Sequence, residues 1–240
     1  MNYLELFKSF VYKDEFITLP YRLFIPKIEE DKRYPLVVFL HGANERGDDN
    51  EKQVNEYKGV VTWASTEIQL KNPCFIFAPQ CPEKSWWGNY SKTENVFKPN
   101  STLYTVMLII NRILDEYPID EKRVYITGLS MGGFGTITLI SEFPEKFAAG
   151  VVVCGGGNVK KANKLKKVPI WFFHAEDDPV VPVEFSRVLF NEIKRLGGDV
   201  RYTEYPRGYL NSLGLHPHSA WIPAYKDKVM IEWLFKNIKK

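Results

Sequence analysis

The stretch RVYITGLSMGGFG, residues 123–135, decides the fold that we predict for this chain. Its first part, RVYIT, consists of strand-forming residues and predicts a buried strand, and a helical pattern runs over 132–143. Ser130 stands between these two elements, with Gly128 and Gly132 on either side. A serine in this setting projects its hydroxyl from a tight, strained turn, toward which the free N–H groups of the following helix point. We therefore interpret Ser130 as a nucleophile; the simpler alternative is a serine that caps the helix.

The composition is that of an ordinary globular protein, and it argues against several classes of partner. The 240 residues are 45% hydrophobic and 25% charged, and the formal net charge is +3. So small a charge provides no strong attraction to nucleic acid or to anionic lipid, and we expect neither as a partner. The lysine-rich run KKANKLKK, residues 160–167, has no interleaved aromatic residues, so we interpret it as a solvated surface segment.

Targeting signals and metal-binding motifs are both missing from the sequence. The first residues, MNYLELFKSFVYKDEF, lack the basic start and continuous apolar run of a signal peptide, and no window has the length of a membrane span. We therefore expect a cytoplasmic protein. The three cysteines, Cys74, Cys81 and Cys154, show no CxxC spacing, so we expect buried free thiols and no metal site.

Short apolar runs alternate with helical patterns along the chain. The runs PLVVFLHG, CFIFAPQ, AAGVVVCGG and PIWFFHAE predict fully buried strands, VRYTEYP predicts a strand nearer an edge, and EFITLPYRLFIP predicts early strands interrupted at Pro20. Helical spacing is found over 101–117, 182–196 and 225–238. This alternation predicts an α/β fold with a mostly parallel sheet covered by helices on both faces. Because the composition changes nowhere, we expect one domain, residues 1–240, without a large cap.

An acid should lie in a loop that follows a later strand. A hydroxyl is a poor nucleophile near neutral pH, so it needs a base, usually histidine, and an acid that orients the base. In the strand–turn–helix setting of Ser130 the acid follows the serine in the chain and the base comes last. Asp177 and Asp178 follow the predicted strand PIWFFHAE. We choose Asp178, with Asp177 as the alternative, because two neighbouring loop residues cannot be ordered from the sequence alone.

The base should be one of the four histidines. His41 precedes Ser130 in the chain, and His174 lies within a predicted strand, where we expect it to be packed near the site. His216 and His218 lie in the loop GLHPHSAW before the last predicted helix, where the order requires the base. We prefer His218, and His216 is the alternative because it precedes a proline and suits a pocket or surface position.

Two backbone N–H groups should stabilise the oxyanion that forms when Ser130 attacks a carbonyl. One belongs to Met131, the residue after the serine, and the other to the loop after the strand that ends at His41. In the segment HGAN, Ala43 is the expected donor. The loss of one such donor typically costs about 3 kcal/mol of transition-state stabilisation.

Together these residues resemble the α/β-hydrolase superfamily. Within it the chain looks like the bacterial carboxylesterases described as predicted peptidases, relatives of feruloyl esterases and polyhydroxybutyrate depolymerases. The resemblance rests on HGANERGDDN, FAPQCP, RVYITGLSMGGFGT, HAEDDPVVPVEFSR and HSAW, which span most of the chain from about residue 35. It implies Ser130 as nucleophile, Asp178 as the acid before PVVP, and His218 as the base three residues before Trp221. Asn44 departs from the pattern by standing where a glycine is common.

The segment 80–100 is long and rich in aromatic and polar residues, which is typical of a functional loop. We expect Trp86, Trp87 and Tyr90 to contact substrate, together with Asn44; the alternative is that the rings only anchor the loop. The segment is too short for a full cap domain, so we expect an open site for short or medium acyl esters, including acetyl or feruloyl esters.

The sequence therefore predicts a serine carboxylesterase with a Ser-His-Asp triad and no cofactor. Its substrate would be a small-molecule ester or one linked to a polysaccharide, and the protein a monomer or small homo-oligomer. Two alternatives are a serine peptidase on the same fold and a non-catalytic binding module. The binding module is disfavoured because no member of the triad is missing from the sequence.

Overall fold

The computed structural model of the protein describes residues 3–91 and 96–239, without the side chains of residues 90, 91 and 96. Eight strands in the described residues form one sheet in the order β1-β2-β4-β3-β7-β8-β9-β10, and β5 and β6 form a separate hairpin. The strands are β1 (Phe7–Lys13), β2 (Thr18–Phe24), β3 (Tyr34–Leu40), β4 (Phe75–Pro79), β5 (Asn89–Ser91), β6 (Val96–Lys98), β7 (Ile119–Leu129), β8 (Ala149–Val153), β9 (Ile170–Ala175) and β10 (Val200–Tyr205).

The sheet is parallel from β4 to β10, and only β2 runs against its neighbours. The carboxyl ends of β3, β7, β8 and β9 consequently lie side by side along the same end of the sheet. The loops that leave these four ends contain all the residues predicted to act on a carbonyl group except His218. The predicted mostly parallel sheet is confirmed, and β10 lies at an edge as expected.

Helices cover the sheet on both faces, as predicted. They are α1 (Lys52–Asn55), α2 (Thr66–Lys71), α3 (Ser101–Glu116), α4 (Met131–Glu142), α5 (Ala162–Leu165), α6 (Glu184–Arg195), α7 (Tyr209–Ser212), α8 (Trp221–Ala224) and α9 (Lys228–Lys236). Buried side chains of α3, α4 and α6 form one hydrophobic cluster with the sheet, and those of α2, α8 and α9 form the other.

Strand β3 shows why its apolar run is continuous. Leu36, Val38 and Leu40 pack into the cluster of α3, α4 and α6, whereas Val37 and Phe39 pack into the opposite cluster. All five side chains are fully buried. Successive side chains of a strand point to opposite faces, so a strand between two helical layers must be apolar at every position.

The turn between β7 and α4, which carries Ser130 and is called the serine elbow below, depends on two glycines. Ser130 has φ of 52° and ψ of −116°, a strained conformation for a residue other than glycine. A Cβ atom at Gly132 would collide with the carbonyl oxygen of Leu40, and one at Gly128 would collide with the carbonyl oxygen of Gly132. The flanking glycines therefore let α4 approach the end of β3 so closely that Ser130 is forced outward.

Two parts of the sequence prediction were wrong. Pro20 does not interrupt the early strands: β2 continues through it, because pairing with β4 begins only at Tyr21 and the N–H that Pro20 lacks is not needed there. The segment 80–100 contains regular structure, the hairpin of β5 and β6.

All three cysteines are buried free thiols, as predicted. No helix in the described residues is long and apolar enough to cross a membrane.

We expect Gly132→Ala to lower the free energy of unfolding by about 3 kcal/mol or more, since the new methyl group meets backbone that cannot move aside. Gly197→Ala is the matched control: its φ is 76°, but a Cβ meets nothing within 4 Å. The control should cost about 1–2 kcal/mol of left-handed strain. Chemical denaturation measures both, and equal losses would contradict the close approach at Gly132.

Candidate active site

Ser130, His218 and Asp178 form one continuous chain of hydrogen bonds. The Nε2 atom of His218 lies 3.0 Å from the Ser130 hydroxyl, and its Nδ1 atom lies 2.7 Å from Oδ2 of Asp178. The Asp178 carboxyl is fully buried, whereas the side chain of His218 is 13% exposed. The ring can therefore exchange a proton with Ser130 on one side while a buried carboxylate orients it on the other.

Asp178 is held as a carboxylate by several donors. Its Oδ1 accepts the backbone N–H groups of Val180 and Val181 at 2.8 and 3.0 Å. Burial by itself would raise the pKa of Asp178, but hydrogen bonds from His174, His218 and Val181, with the charge of His218, lower that pKa well below its ordinary range. The carboxylate therefore remains charged near neutral pH.

His174 is a second histidine that contacts the same carboxylate. Its Nε2 faces two acceptors, the carbonyl oxygen of Val181 at 2.9 Å and Oδ2 of Asp178 at 3.3 Å, so this nitrogen must carry a proton. Its Nδ1 lies 2.8 Å from the hydroxyl of Ser186, which donates to the carbonyl oxygen of Gly155. His174 is packed beside the site, as the sequence predicted, and it donates a hydrogen bond to the carboxylate of Asp178.

Asp177 and His216, the alternative acid and the alternative base, have hydrogen-bond partners other than Ser130. Oδ2 of Asp177 accepts the N–H of Gly208 at 2.8 Å, so this carboxylate holds the turn after β10. His216 is exposed, and its Nδ1 accepts the backbone N–H of His218 at 3.1 Å. Neither side chain has a hydrogen bond to Ser130 among the described residues, so the structure brings together the preferred member of each pair.

Ala43, the first predicted donor, begins the short 3-10 turn that follows β3. His41 is fully buried; its Nε2 accepts the N–H of Cys81 at 2.9 Å, so its Nδ1 carries the proton and donates to the carbonyl oxygen of Gly42 at 2.7 Å. That carbonyl belongs to the same peptide unit as the N–H of Ala43, and in a trans peptide the two bonds point in opposite directions. His41 thereby fixes the direction of the Ala43 N–H.

Met131 supplies the second predicted donor. It is the first residue of α4, and the first N–H groups of a helix have no partner within the helix. The positive end of the helix dipole adds to their effect on a negative oxygen. The N–H of Met131 therefore meets one requirement of the oxyanion donor that the sequence predicts.

Cys154 also lies next to the hydrogen-bonded chain. In the described residues its Sγ, a carboxylate oxygen of Asp178 and a ring nitrogen of His218 lie within 4.8 Å of one another. Burial and the nearby charge of Asp178 raise the pKa of the Cys154 thiol well above its ordinary value. A thiol that stays protonated is a poor nucleophile and a poor metal ligand, so this group favours neither role.

The predicted substrate-contacting residues divide into different environments. Trp86 is 47% exposed, and the Arg46 guanidinium stacks on its ring at 4.7 Å. Trp87 is buried and its indole N–H donates to the carbonyl oxygen of His41 at 3.0 Å, so it presents no face to a ligand, contrary to the prediction. Asn44 is exposed and donates to the Tyr57 hydroxyl. The side chain of Tyr90 lies outside the described residues.

Sequence reasoning missed an apolar cleft of about 780 Å³ beside the elbow. It is lined by residues of the hairpin and the segment before it, the start of α4, the loop before α6 and the start of α6: Trp86, Gly88, Asn89, Phe97, Phe134, Val180, Val181, Pro182 and Phe185. Phe185 lies in the predicted helix 182–196, but it is 42% exposed and packs against Phe134 with ring centroids 5.4 Å apart. Helical periodicity does not distinguish an apolar residue of the core from one that lines a cleft.

The sheet order, the serine elbow and the hydrogen-bonded chain define an α/β-hydrolase. The sequence profile of the phospholipase/carboxylesterase family matches residues 25–211. The chain belongs to this family, which confirms the resemblance stated from its motifs.

Individual relatives agree with this assignment. A crystal structure of a thermostable esterase matches 98% of this chain with a TM-score of 0.95 and 51% identity. The bifunctional acetylxylan esterase/xylanase of Neocallimastix patriciarum is 43% identical over 148 residues, 61% of this chain, and carboxylesterase SOBER1 of Arabidopsis thaliana is 24% identical over 71% of it. The chain spans 64%, 20% and 80% of these three proteins, respectively.

We expect acid to destabilise the fold through His41. Burial lowers the pKa of His41 from 6.5 to about 4. The stability contributed by its neutral ring is therefore fully present above about pH 6.5 and is lost as the pH falls toward 4, at about 1.4 kcal/mol per pH unit. His41→Gln should show a flatter decline than wild type over this window in urea denaturation. His216→Gln, a change at an exposed histidine, should leave the decline unaltered; a steep decline in His41→Gln would contradict the assignment.

Proposed function

We propose that this protein is a serine carboxylesterase that hydrolyses esters through Ser130, His218 and Asp178. The observation that supports it most directly is the unbroken series of hydrogen bonds from the Ser130 hydroxyl to the buried Asp178 carboxylate. Membership of the phospholipase/carboxylesterase family supports the same activity. The chain is shorter than two of the relatives compared, so the activity of the whole protein is part of this proposal.

The first half of the proposed reaction forms an acyl-enzyme. His218 Nε2 takes the proton of Ser130 as its Oγ attacks the ester carbonyl, and the imidazolium then gives that proton to the departing alcohol. The negative charge of Asp178 stabilises the imidazolium and keeps the Nδ1 proton in place. The carboxylate remains ionised throughout, consistent with its lowered pKa.

The second half releases the acid. Water enters where the alcohol left, His218 takes a proton from it, and the resulting attack breaks the bond between the acyl group and Ser130. The N–H groups of Met131 and Ala43 bind the carbonyl oxygen in both halves, and they bind it more strongly when it is negative. The chemistry assigned to these residues requires neither a metal nor an organic cofactor.

The cleft supports the proposed class of substrate. Its walls are mainly the rings and aliphatic side chains of Trp86, Phe134, Val181 and Phe185, and it is open to solvent. An apolar, open cleft suits acyl groups of short or medium length, including planar aromatic ones such as feruloyl. The 43% identical relative is named an acetylxylan esterase, which supports acetyl or other esters attached to polysaccharide.

Paired substitutions test the proposed triad. We expect Ser130→Ala and His218→Ala to lower kcat for nitrophenyl acetate by about 10⁴-fold or more, and Asp178→Asn by about 10⁴-fold. The neighbouring changes His216→Ala and Asp177→Asn should each cost less than about tenfold, because neither side chain contacts Ser130 or the ring of His218. A fluorophosphonate probe should label the wild type and fail to label Ser130→Ala. Equal losses within either pair would overturn the assignment of that pair.

We expect Phe185→Ala to raise KM for methyl ferulate by about tenfold, which corresponds to about 1.4 kcal/mol and is less than the value for a fully buried ring because Phe185 is half exposed. KM for nitrophenyl acetate should change little, since an acetyl group is too small to reach the ring. Val188→Ala is the matched control on the same helix, where the side chain is 51% exposed and lies outside the cleft lining. Equal effects of Phe185→Ala on both esters would show that the cleft does not select the acyl group.

A separate assay tests the reaction class. Faster cleavage of aminoacyl-nitroanilides than of esters by the wild type would favour a peptidase.

A further inference from the structure

Glu45 is a fully buried carboxylic acid that the proposed mechanism does not use. It ends the short 3-10 turn Ala43–Glu45 that follows β3. Its Oε2 accepts the N–H of Gly42 at 2.8 Å, while Oε1 is buried without a hydrogen bond of ordinary geometry among the described residues. A buried carboxyl oxygen without a partner is costly, so a purely incidental position is a poor explanation.

The hydrogen bonds of Glu45 close the turn around Ala43. The backbone N–H of Glu45 donates to the carbonyl oxygen of Gly42 at 3.2 Å, and its side chain receives the N–H of the same glycine. The side-chain amide of Gln80 donates to the carbonyl oxygen of Glu45 at 3.2 Å, which ties the turn to the end of β4. His41 holds the Gly42 carbonyl from the other side. The N–H and the carbonyl oxygen of Gly42 therefore both have hydrogen-bond partners, and these bonds orient the peptide unit that joins Gly42 to Ala43.

We propose that Glu45 is a positioning residue for the proposed ester hydrolysis: its carboxyl group, in the uncharged form, holds the turn that directs the Ala43 N–H at the oxyanion. This inference rests on the proposed function. Glu45 contacts neither substrate nor Ser130, so it acts only through the turn. Ionisation would place a negative charge in the same turn as the donor, where it would oppose the negative charge that develops on the substrate.

The surroundings of Glu45 favour the uncharged form. Burial raises the pKa of Glu45 to about 8, although the backbone N–H groups of Gly42 and Tyr57 act in the opposite direction. The nearby exposed carboxylate of Glu56 raises it further. The buried phenol of Tyr225 interacts with Glu45, and the ring of Tyr57 lies beside it at Gly42. Below about pH 8 the turn therefore contains a neutral acid.

The experiment compares wild type with Glu45→Gln, which keeps a carbonyl acceptor for Gly42 but cannot ionise. Glu56→Gln is the matched control, because it removes a neighbouring carboxylate that lies outside the turn. The first measurement is kcat for nitrophenyl acetate from pH 6 to pH 10. Wild type should lose about tenfold in kcat for each pH unit above about 8, whereas Glu45→Gln should change by less than about twofold over the same range. Glu56→Gln should retain the loss, shifted to slightly higher pH.

The second measurement is the unfolding equilibrium, which does not depend on catalysis. The folded-state pKa of Glu45 is raised from 4.5, so the stability that it contributes is fully present below about pH 4.5 and is lost as the pH rises through about 8. Within that window the unfolding equilibrium constant of wild type should rise, relative to that of Glu45→Gln, by up to about tenfold per pH unit.

The two measurements separate the possible failures. The same alkaline loss of kcat in wild type and Glu45→Gln would overturn the role of Glu45, and so would a wild type whose kcat stays constant to pH 10. If neither protein hydrolyses any ester, the proposed function fails and the positioning role fails with it. A pH-dependent difference in unfolding would in that case still identify Glu45 as the buried neutral acid.

Discussion

The close approach of helix α4 to the end of strand β3 is the constraint on which the rest of the site depends. The contact leaves no room for a Cβ atom at Gly132 beside the carbonyl oxygen of Leu40, and it forces Ser130 into a positive φ. The strain at Ser130 is held by its N–H bond to the carbonyl oxygen of Val153 at 2.9 Å and by the buried strands around it. Without that approach the hydroxyl, the helix N-terminus and the loop after β3 would not meet.

Two buried acids at the same edge of the sheet have opposite charge states, and the difference comes from their neighbours. Asp178 receives two backbone N–H groups and faces two histidines, which lowers its pKa. Glu45 has one hydrogen bond of ordinary geometry, from the N–H of Gly42, and no histidine is among the groups that lower its pKa, so burial dominates and its pKa rises to about 8. A charged acid is useful beside an imidazolium, and a neutral one is useful beside an oxyanion.

The mostly parallel sheet and the four longest helices of the described residues, α3, α4, α6 and α9, could be predicted from local pattern, but the order of the strands could not. Continuous apolar runs identify strands buried on both faces, and helical spacing places helices to within a few residues. Pro20 misled the prediction because a proline breaks a strand only where its missing N–H is needed, and that depends on the neighbouring strand. Trp87 misled the prediction because composition does not distinguish an aromatic side chain buried in the core from one that faces a cleft.

The sequence by itself determined the family of this protein, the serine elbow and the short sets of residues from which the acid and base had to come. Each of these motifs consists of residues that are close together in the chain, so its residue types and their spacing are visible in the sequence. Only the tertiary structure shows that Asp178 and His218, rather than Asp177 and His216, join the hydrogen-bonded chain to Ser130, because neighbouring loop residues differ in direction rather than in chemistry. It also revealed the contacts of His174 with Asp178 and of Glu45 with Gly42, which no apolar or helical pattern in the sequence indicates.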